Sequence, residues 1–165
     1  MELNDSGEII KVLNGEIYSK KGTSVLLNNL NHVHIDQKDD GYLIYVKNSN
    51  NSIEKIFGVQ SSSITDVSAV ASGNGFFLVT LIEGQLNFNP SLLVKFYDNM
   101  GQELSSNSFQ FGQYDLEKIA AFCTTDSGMA IAVNHAFSKA SVYHFNFNSN
   151  LIWEHKWQEA NGVQD

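Results

Sequence analysis

Ser68-Ala69-Val70-Ala71, then Gly73-Asn74-Gly75, then Phe76-Phe77-Leu78-Val79 make an apolar run, a tight turn and a second apolar run. The turn residues tolerate the left-handed backbone that a short hairpin requires. The same order returns as Ala120-Ala121-Phe122-Cys123, Asp126-Ser127-Gly128 and Met129-Ala130-Ile131-Ala132. Later in each copy Leu93-Val94-Lys95-Phe96 matches Val142-Tyr143-His144-Phe145, and Gln102-Glu103-Leu104 matches Leu151-Ile152-Trp153. Each copy thus holds four short apolar runs, none as long as a typical helix, and this predicts four β-strands per unit. The two best repeat units span 64–112 and 115–160, and they differ by a loop insertion around Asn87-Phe88-Asn89-Pro90.

Working outward, runs of the same kind occupy 8–13, 24–30, 32–36, 42–47 and 53–57. Asp5-Ser6-Gly7, Asp39-Asp40-Gly41 and Asn99-Met100-Gly101 supply further turns. Asp115-Leu116-Glu117-Lys118-Ile119-Ala120-Ala121 could open a helix capped by Asp115, but the repeat reads it as a loop entering a strand. The expectation is one repetitive all-β domain over 1–165, with a unit of about 40–50 residues.

The hairpins Phe96-Tyr97-Asp98-Asn99-Met100-Gly101-Gln102-Glu103-Leu104 and Phe145-Asn146-Phe147-Asn148-Ser149-Asn150-Leu151-Ile152-Trp153 run from an aromatic pair through an Asx-rich turn to a closing strand. Leu3-Asn4-Asp5-Ser6-Gly7-Glu8-Ile9-Ile10 looks like a third copy. This pattern resembles the repeats of β-propellers, without the Gly-His and Trp-Asp pairs of WD40 repeats. The resemblance implies blades of four antiparallel strands. Propellers close with at least four blades, whereas the runs here make three or slightly more, so it also implies further blades or association between copies that completes the sheet. A β-trefoil or another closed three-unit β fold is the alternative.

Composition narrows the partners. The chain has 165 residues and a formal charge of −8, and all ten basic residues are lysine. With no arginine there is no planar fork for phosphate or guanine, and the scattered lysines form no basic stripe. Nucleic acid and anionic membrane are therefore set aside. The opening Met1-Glu2-Leu3-Asn4-Asp5-Ser6 has neither a charged segment nor an apolar core of a signal peptide, and no apolar stretch reaches the length of a membrane span. A soluble chain is expected. Lone Cys123, flanked by apolar residues, reads as an inert core thiol.

Three constellations carry candidate chemistry. In a strand His32, His34 and Asp36 share one face, which suits a metal. His32-Val33-His34-Ile35-Asp36 resembles the start of the metallo-β-lactamase signature and the first cupin motif, although Gln37 and Asp39 stand where those patterns want His and Glu. Against this stands the reading of a polar, solvated strand face. Leu151, Trp153, His155 and Trp157 alternate onto one face and could form an aromatic platform for a sugar, joined by Phe88 and Asn89; packing against a neighbouring blade is the competing reading. Nucleophile motifs, phosphate loops and dinucleotide fingerprints are absent from the sequence.

The leading expectation is therefore a non-enzymatic binding or scaffold module that engages a protein or peptide through loops at one end of the blades. A carbohydrate-recognition module at Trp153, Trp157, Phe88 and Asn89 comes second, and a metal-dependent enzyme at His32, His34 and Asp36 third. No catalytic residue and no cofactor is assigned.

Overall fold

Period-two alternation of Val, Ile, Phe and Tyr with polar residues leaves one outcome for runs this short, a strand with at least one buried face. The computed structural model describes residues 2–3, 9–13, 16–19, 22–38, 41–60, 64–82, 90–110, 116–135 and 139–157. Among these there is no helix.

Strands β1 (Glu2–Leu3), β2 (Ile9–Leu13) and β3 (Glu16–Ser19) form a three-stranded sheet. The next is β4 (Gly22–Leu26), β5 (His32–Lys38), β6 (Gly41–Lys47) and β7 (Ile53–Gln60). It is followed by β8 (Ile64–Ser72), β9 (Gly75–Ile82), β10 (Ser91–Asp98) and β11 (Glu103–Gln110). Last come β12 (Leu116–Thr125), β13 (Gly128–His135), β14 (Lys139–Asn146) and β15 (Leu151–Trp157). The last three groups are four-stranded antiparallel sheets in strict sequence order, a repeat-like arrangement compatible with blades. Successive sheets meet through their first strands, β4 beside β8 and β8 beside β12. The segment after Asp115 is strand, as the repeat predicts. Of the proposed third hairpin copy, residues 4–8 lie outside the described residues, and its flanks pair antiparallel with Leu3 opposite Ile9.

Two cores lie between the sheets. Val33, Ile35, Ile44 and Val46 on the forward face of β4–β7 bury against Val67, Phe76, Leu78 and Tyr97 on the backward face of β8–β11. The forward face of that second sheet, Phe77, Val79, Val94 and Phe96, buries against Ile119, Met129, Ile131 and Phe145 of the third. β9 is therefore buried on both faces, which is why Phe76-Phe77-Leu78-Val79 is a continuous apolar run and not an alternating one.

One turn recurs in all three sheets. Asn48, just past the end of β6, and Asp98 and Asn146, the last residues of β10 and β14, accept through Oδ1 the backbone N–H groups two and four residues on. The residue three further on has positive φ, namely Asn51, Gly101 and Ser149. Leu27 to Asn31 repeats the backbone bonds, with Leu30 at positive φ, but Leu27 has no oxygen to cap with. Just before each Asx residue the third-to-fourth strand pairing shifts, with Val46 opposite Lys55 but Lys47 opposite Ile53, Phe96 opposite Ser105 but Tyr97 opposite Glu103, and His144 opposite Trp153 but Phe145 opposite Leu151. The bulge flips the face presented by the edge strand. Asp98→Ala removes an acceptor of two N–H groups and is expected to cost about 1–2 kcal/mol, with Asn48→Ala and Asn146→Ala similar; urea unfolding of the three variants checks this.

The pairing also corrects the repeat alignment. Tyr97, not Phe96, corresponds to Phe145, because both precede the capping residue, and Glu103 corresponds to Leu151. Val70 likewise corresponds to Cys123, one residue off the sequence match, whereas Phe76 and Met129 correspond as read. A one-residue slip exchanges faces, so only the structural register tells which side chains are equivalent.

Burial raises the phenols of Tyr42, Tyr97 and Tyr143, with Glu103 adding to the rise at Tyr97. A raised folded-state pKa means the folded chain holds the proton more tightly than the unfolded one. The stability this carries is complete below pH 10.0 and is lost as pH rises beyond it through the folded values. Tyr97→Phe is expected to flatten the alkaline limb of a stability-against-pH curve, read by urea unfolding between pH 8 and about 11.

Candidate functional site

With the register settled, the sequence candidates fall on the two outermost faces of the three-sheet array. His32, His34 and Asp36 do share one face of β5, while Val33 and Ile35 enter the core on the other. That face is the backward face of β4–β7. Through the pairing, His32, His34 and Asp36 occupy the positions of Phe76, Leu78 and Thr80 in the second sheet and of Met129, Ile131 and Val133 in the third. The apolar equivalents are buried between sheets. The His-x-His-x-Asp stretch is thus a polar version of a sheet-to-sheet contact strip, at the sheet where the four-stranded series begins.

Local geometry fits that account. His34 Nδ1 lies 2.9 Å from Ser24 Oγ on the neighbouring strand, and its ring sits 6.0 Å from that of Tyr45. Burial and the charge of Asp36 raise the Tyr45 phenol. Leu26 and Ile56 stand exposed on the same face. Residues two apart on a strand lie about 6.6 Å apart, so His32 and Asp36 are about 13 Å distant along β5. Among the described residues no three His, Cys, Asp or Glu side chains gather where they could hold a metal ion.

The other outer face is the forward face of β12–β15. Trp153 is 47% exposed there, opposite His144 on β14, and the two rings stack at 5.6 Å and 15°. His144 is buried, with Nε2 2.9 Å from Thr125 Oγ1 and 3.4 Å from Ser127 Oγ, while Nδ1 has no partner. His155 and Trp157 follow Trp153 at alternate positions, opposite Val142 and Ala140. Leu151 does not join them, because the bulge turns it toward Phe145 and the core. Phe88 and Asn89 lie outside the described residues, as do the side chains of Trp157 and Cys123. His144 is the site residue that sequence patterning does not single out. It stands where the first two sheets have Val46 and Phe96, a correspondence that only the register reveals.

A third surface is the end where the tight turns cluster. Asn28 Nδ2 donates to the Gly73 carbonyl, Asn31 Nδ2 to that of Asn99 and Lys55 Nζ to that of Gly101. Ser105 Oγ bonds the Phe147 carbonyl and Ser149 Oγ. Each bond joins one sheet's turn or edge to the next, so the sheets are cross-tied at this end. No protein-family model matches the chain, and no curated protein matches it in sequence.

Proposed function

We propose that the chain is a run of propeller-like blades working as a non-enzymatic binding or scaffold module, which engages a protein or peptide through the strand connections at one end. The observation that carries this reading is the repeat-like series of three four-stranded antiparallel sheets, tied to one another by side-chain hydrogen bonds. At one end, short hydrogen-bonded hairpins are cross-tied between sheets by Asn31, Lys55 and Ser105. Toward the other end Thr80 Oγ1 donates to Tyr42 Oη at 3.1 Å and the Ile119 N–H donates to Asp66 Oδ2, so successive sheets are tied there as well. A tied frame of strands that leaves recognition to its connections is the usual arrangement for a binding module.

The test is selection of peptides from a display library on the immobilised chain, followed by calorimetry of the selected sequences. Binding that is lost when 83–89 is replaced by Gly-Ser residues, but survives Asn50→Lys on the tight-turn end, supports the reading. Binding with the opposite sensitivity counts against it.

Exposed Trp153 favours one second reading, carbohydrate recognition on the forward face of β12–β15. A flat indole held by the stacked His144 presents its other side for a sugar ring. Glycan-array binding abolished by Trp153→Ala, with no peptide selected, moves the assignment to this reading.

A further inference from the structure

Both inter-sheet contacts run in one sense, the forward face of one sheet on the backward face of the next, with β4 beside β8 and β8 beside β12. They also share a tie. Lys55 and Ser105 sit on the fourth strand opposite Val46 and Phe96, which stand two residues before the capping Asn48 and Asp98. Each donates into the turn of the following sheet, Lys55 Nζ to the Gly101 carbonyl and Ser105 Oγ to the Phe147 carbonyl, with Ser149 Oγ 2.7 Å from Ser105 Oγ. Gly101 and Ser149 hold one place, three residues after the caps Asp98 and Asn146 and at positive φ. Trp153, opposite His144, is the third residue of the donor series, and its indole N–H is also a donor. Asn51, three residues after Asn48 and again at positive φ, is the third residue of the receiving series. Both are exposed, Trp153 on the last sheet and Asn51 on the first of the four-stranded ones.

We propose that two copies of the chain close head to tail, the forward face of β12–β15 of each packing on the backward face of β4–β7 of the other, with Trp153 reaching the turn at 48–51 of the other copy. The step is the one the chain already takes twice, so it needs no new mode of packing. Side-chain size agrees with it. The forward face of β12–β15 offers the small, half-buried Ala130, Ala132, Ala140 and Val142, while the backward face of β4–β7 offers His32, His34 and Tyr45, with Leu26 and Ile56 exposed. Polarity separates this junction from the two inside the chain, which are built from Val, Ile, Leu, Met and aromatic residues. His32, His34, Asp36 and His144 bring the outer faces closer to ordinary surface, which suits contact between separately folded copies more than a core within one chain. Head-to-tail contacts form a ring only where the rotation closes, and propeller-like arrays typically close at four to eight sheets. Three four-stranded sheets per copy give six for two copies but nine for three, so a pair is the assembly that fits. The ring rests on the blade-like reading of the array and not on peptide binding, which the display experiment tests separately. It covers Trp153, so it and the carbohydrate reading exclude one another.

Light scattering of the full chain across a concentration series is expected to show twice the chain mass. Val142→Arg on the forward face and Leu26→Arg on the backward face are each expected to give a monomer with thermal unfolding retained. Val142 stands where Ile44 and Val94 are wholly buried, and Leu26 stands where Ala71 packs into the first core. Mixing the two variants is expected to restore the doubled mass, because the pair keeps one undamaged forward-on-backward junction. A contact between like faces gives no such rescue. In a Cys123→Ser background, Trp153→Cys together with Asn51→Cys is expected to form a disulfide-linked dimer on oxidation, as Ser105 and Ser149 meet between sheets, while either substitution alone forms none. This trap does not depend on the arginine variants folding. A monomer at all concentrations overturns the proposal, and so does a Trp153→Cys/Asn51→Cys disulfide closed within one chain. A monomer that Leu26→Arg unfolds also overturns it, since the backward face of β4–β7 is then covered within the chain. A dimer that neither responds to mixing nor cross-links places the contact elsewhere and overturns it equally.

Discussion

Phe77→Ala is expected to lower the unfolding free energy by about 3–5 kcal/mol and the melting temperature by roughly 10 °C, with both inter-sheet cores reporting the loss. Phe77 is wholly buried on the forward face of β9, with its ring 4.7 Å from Phe96 and 5.8 Å from Phe147. Truncation opens a void between two sheets whose backbones are held by their own ladders and by the cross-ties at the tight-turn end. Such a site collapses poorly, and poor collapse puts the cost at the upper end of the range. The loss also reaches the other core. Phe76, the next residue, stacks on Tyr97 at 5.1 Å on the backward face, so a shift of β9 disturbs both. Trp153→Ala serves as the comparison: a half-exposed ring on an outer face is expected to cost about 1 kcal/mol. Thermal and urea unfolding of the two variants, with near-ultraviolet dichroism as a second probe, decide the matter. Equal effects would mean that β9 is not the central element of the array.

That central role is readable from the residues, whereas the two outer faces are only half readable. The double burial of β9 shows in Phe76-Phe77-Leu78-Val79, because only a strand covered on both sides abandons alternation. The Asx-capped turn shows at Asp98-Asn99-Met100-Gly101, where residue chemistry and backbone need coincide. Its copy at Asn48-Ser49-Asn50-Asn51 does not announce itself as a member of the series, since no aromatic precedes it and Asn51 replaces glycine at positive φ. The repeat match by residue type slips at the first, third and fourth strands of the unit, drawn at the third by the identity of Phe96 and Phe145 when the physical anchor is the capping residue one or two places on. A slip of one costs every face assignment, and this is why His144 looks isolated in the sequence, while the bulge that alternation cannot show is why Leu151 looks like a partner of Trp153. His32, His34 and Asp36 do fall on one face, as alternation requires. What periodicity cannot say is that this face belongs to a series of contact strips, where its equivalents are Phe76 and Leu78 and then Met129 and Ile131.

Gly75→Val is expected to abolish the fold or to destabilise it by more than about 4 kcal/mol, the tail of single-substitution effects reserved for clashes that the structure cannot relieve. A Cβ on Gly75 would run into the carbonyl oxygen of Tyr97 on the paired strand and lie 3.1 Å from Asp98 Cα. The obstacle is backbone, so no side-chain rotation removes it. Relief requires β9 and β10 to part where Tyr97 stacks on Phe76 and where Asp98 caps its turn, so three stabilising features fail together. Gly128 stands at the equivalent place and meets the Phe145 carbonyl in the same manner, so Gly128→Val is expected to match. Two residues before Gly75, Gly73 has the opposite constraint: its φ is +52° and a Cβ there would meet nothing within 4 Å. Gly73→Asn therefore costs at most about 1 kcal/mol, because asparagine tolerates the left-handed region and meets no neighbour. Far-ultraviolet dichroism and urea unfolding of Gly75→Val and Gly73→Asn separate close approach from backbone conformation within a single turn. Comparable losses at both positions would show that conformation, and not the approach of β9 to β10, is what glycine supplies here.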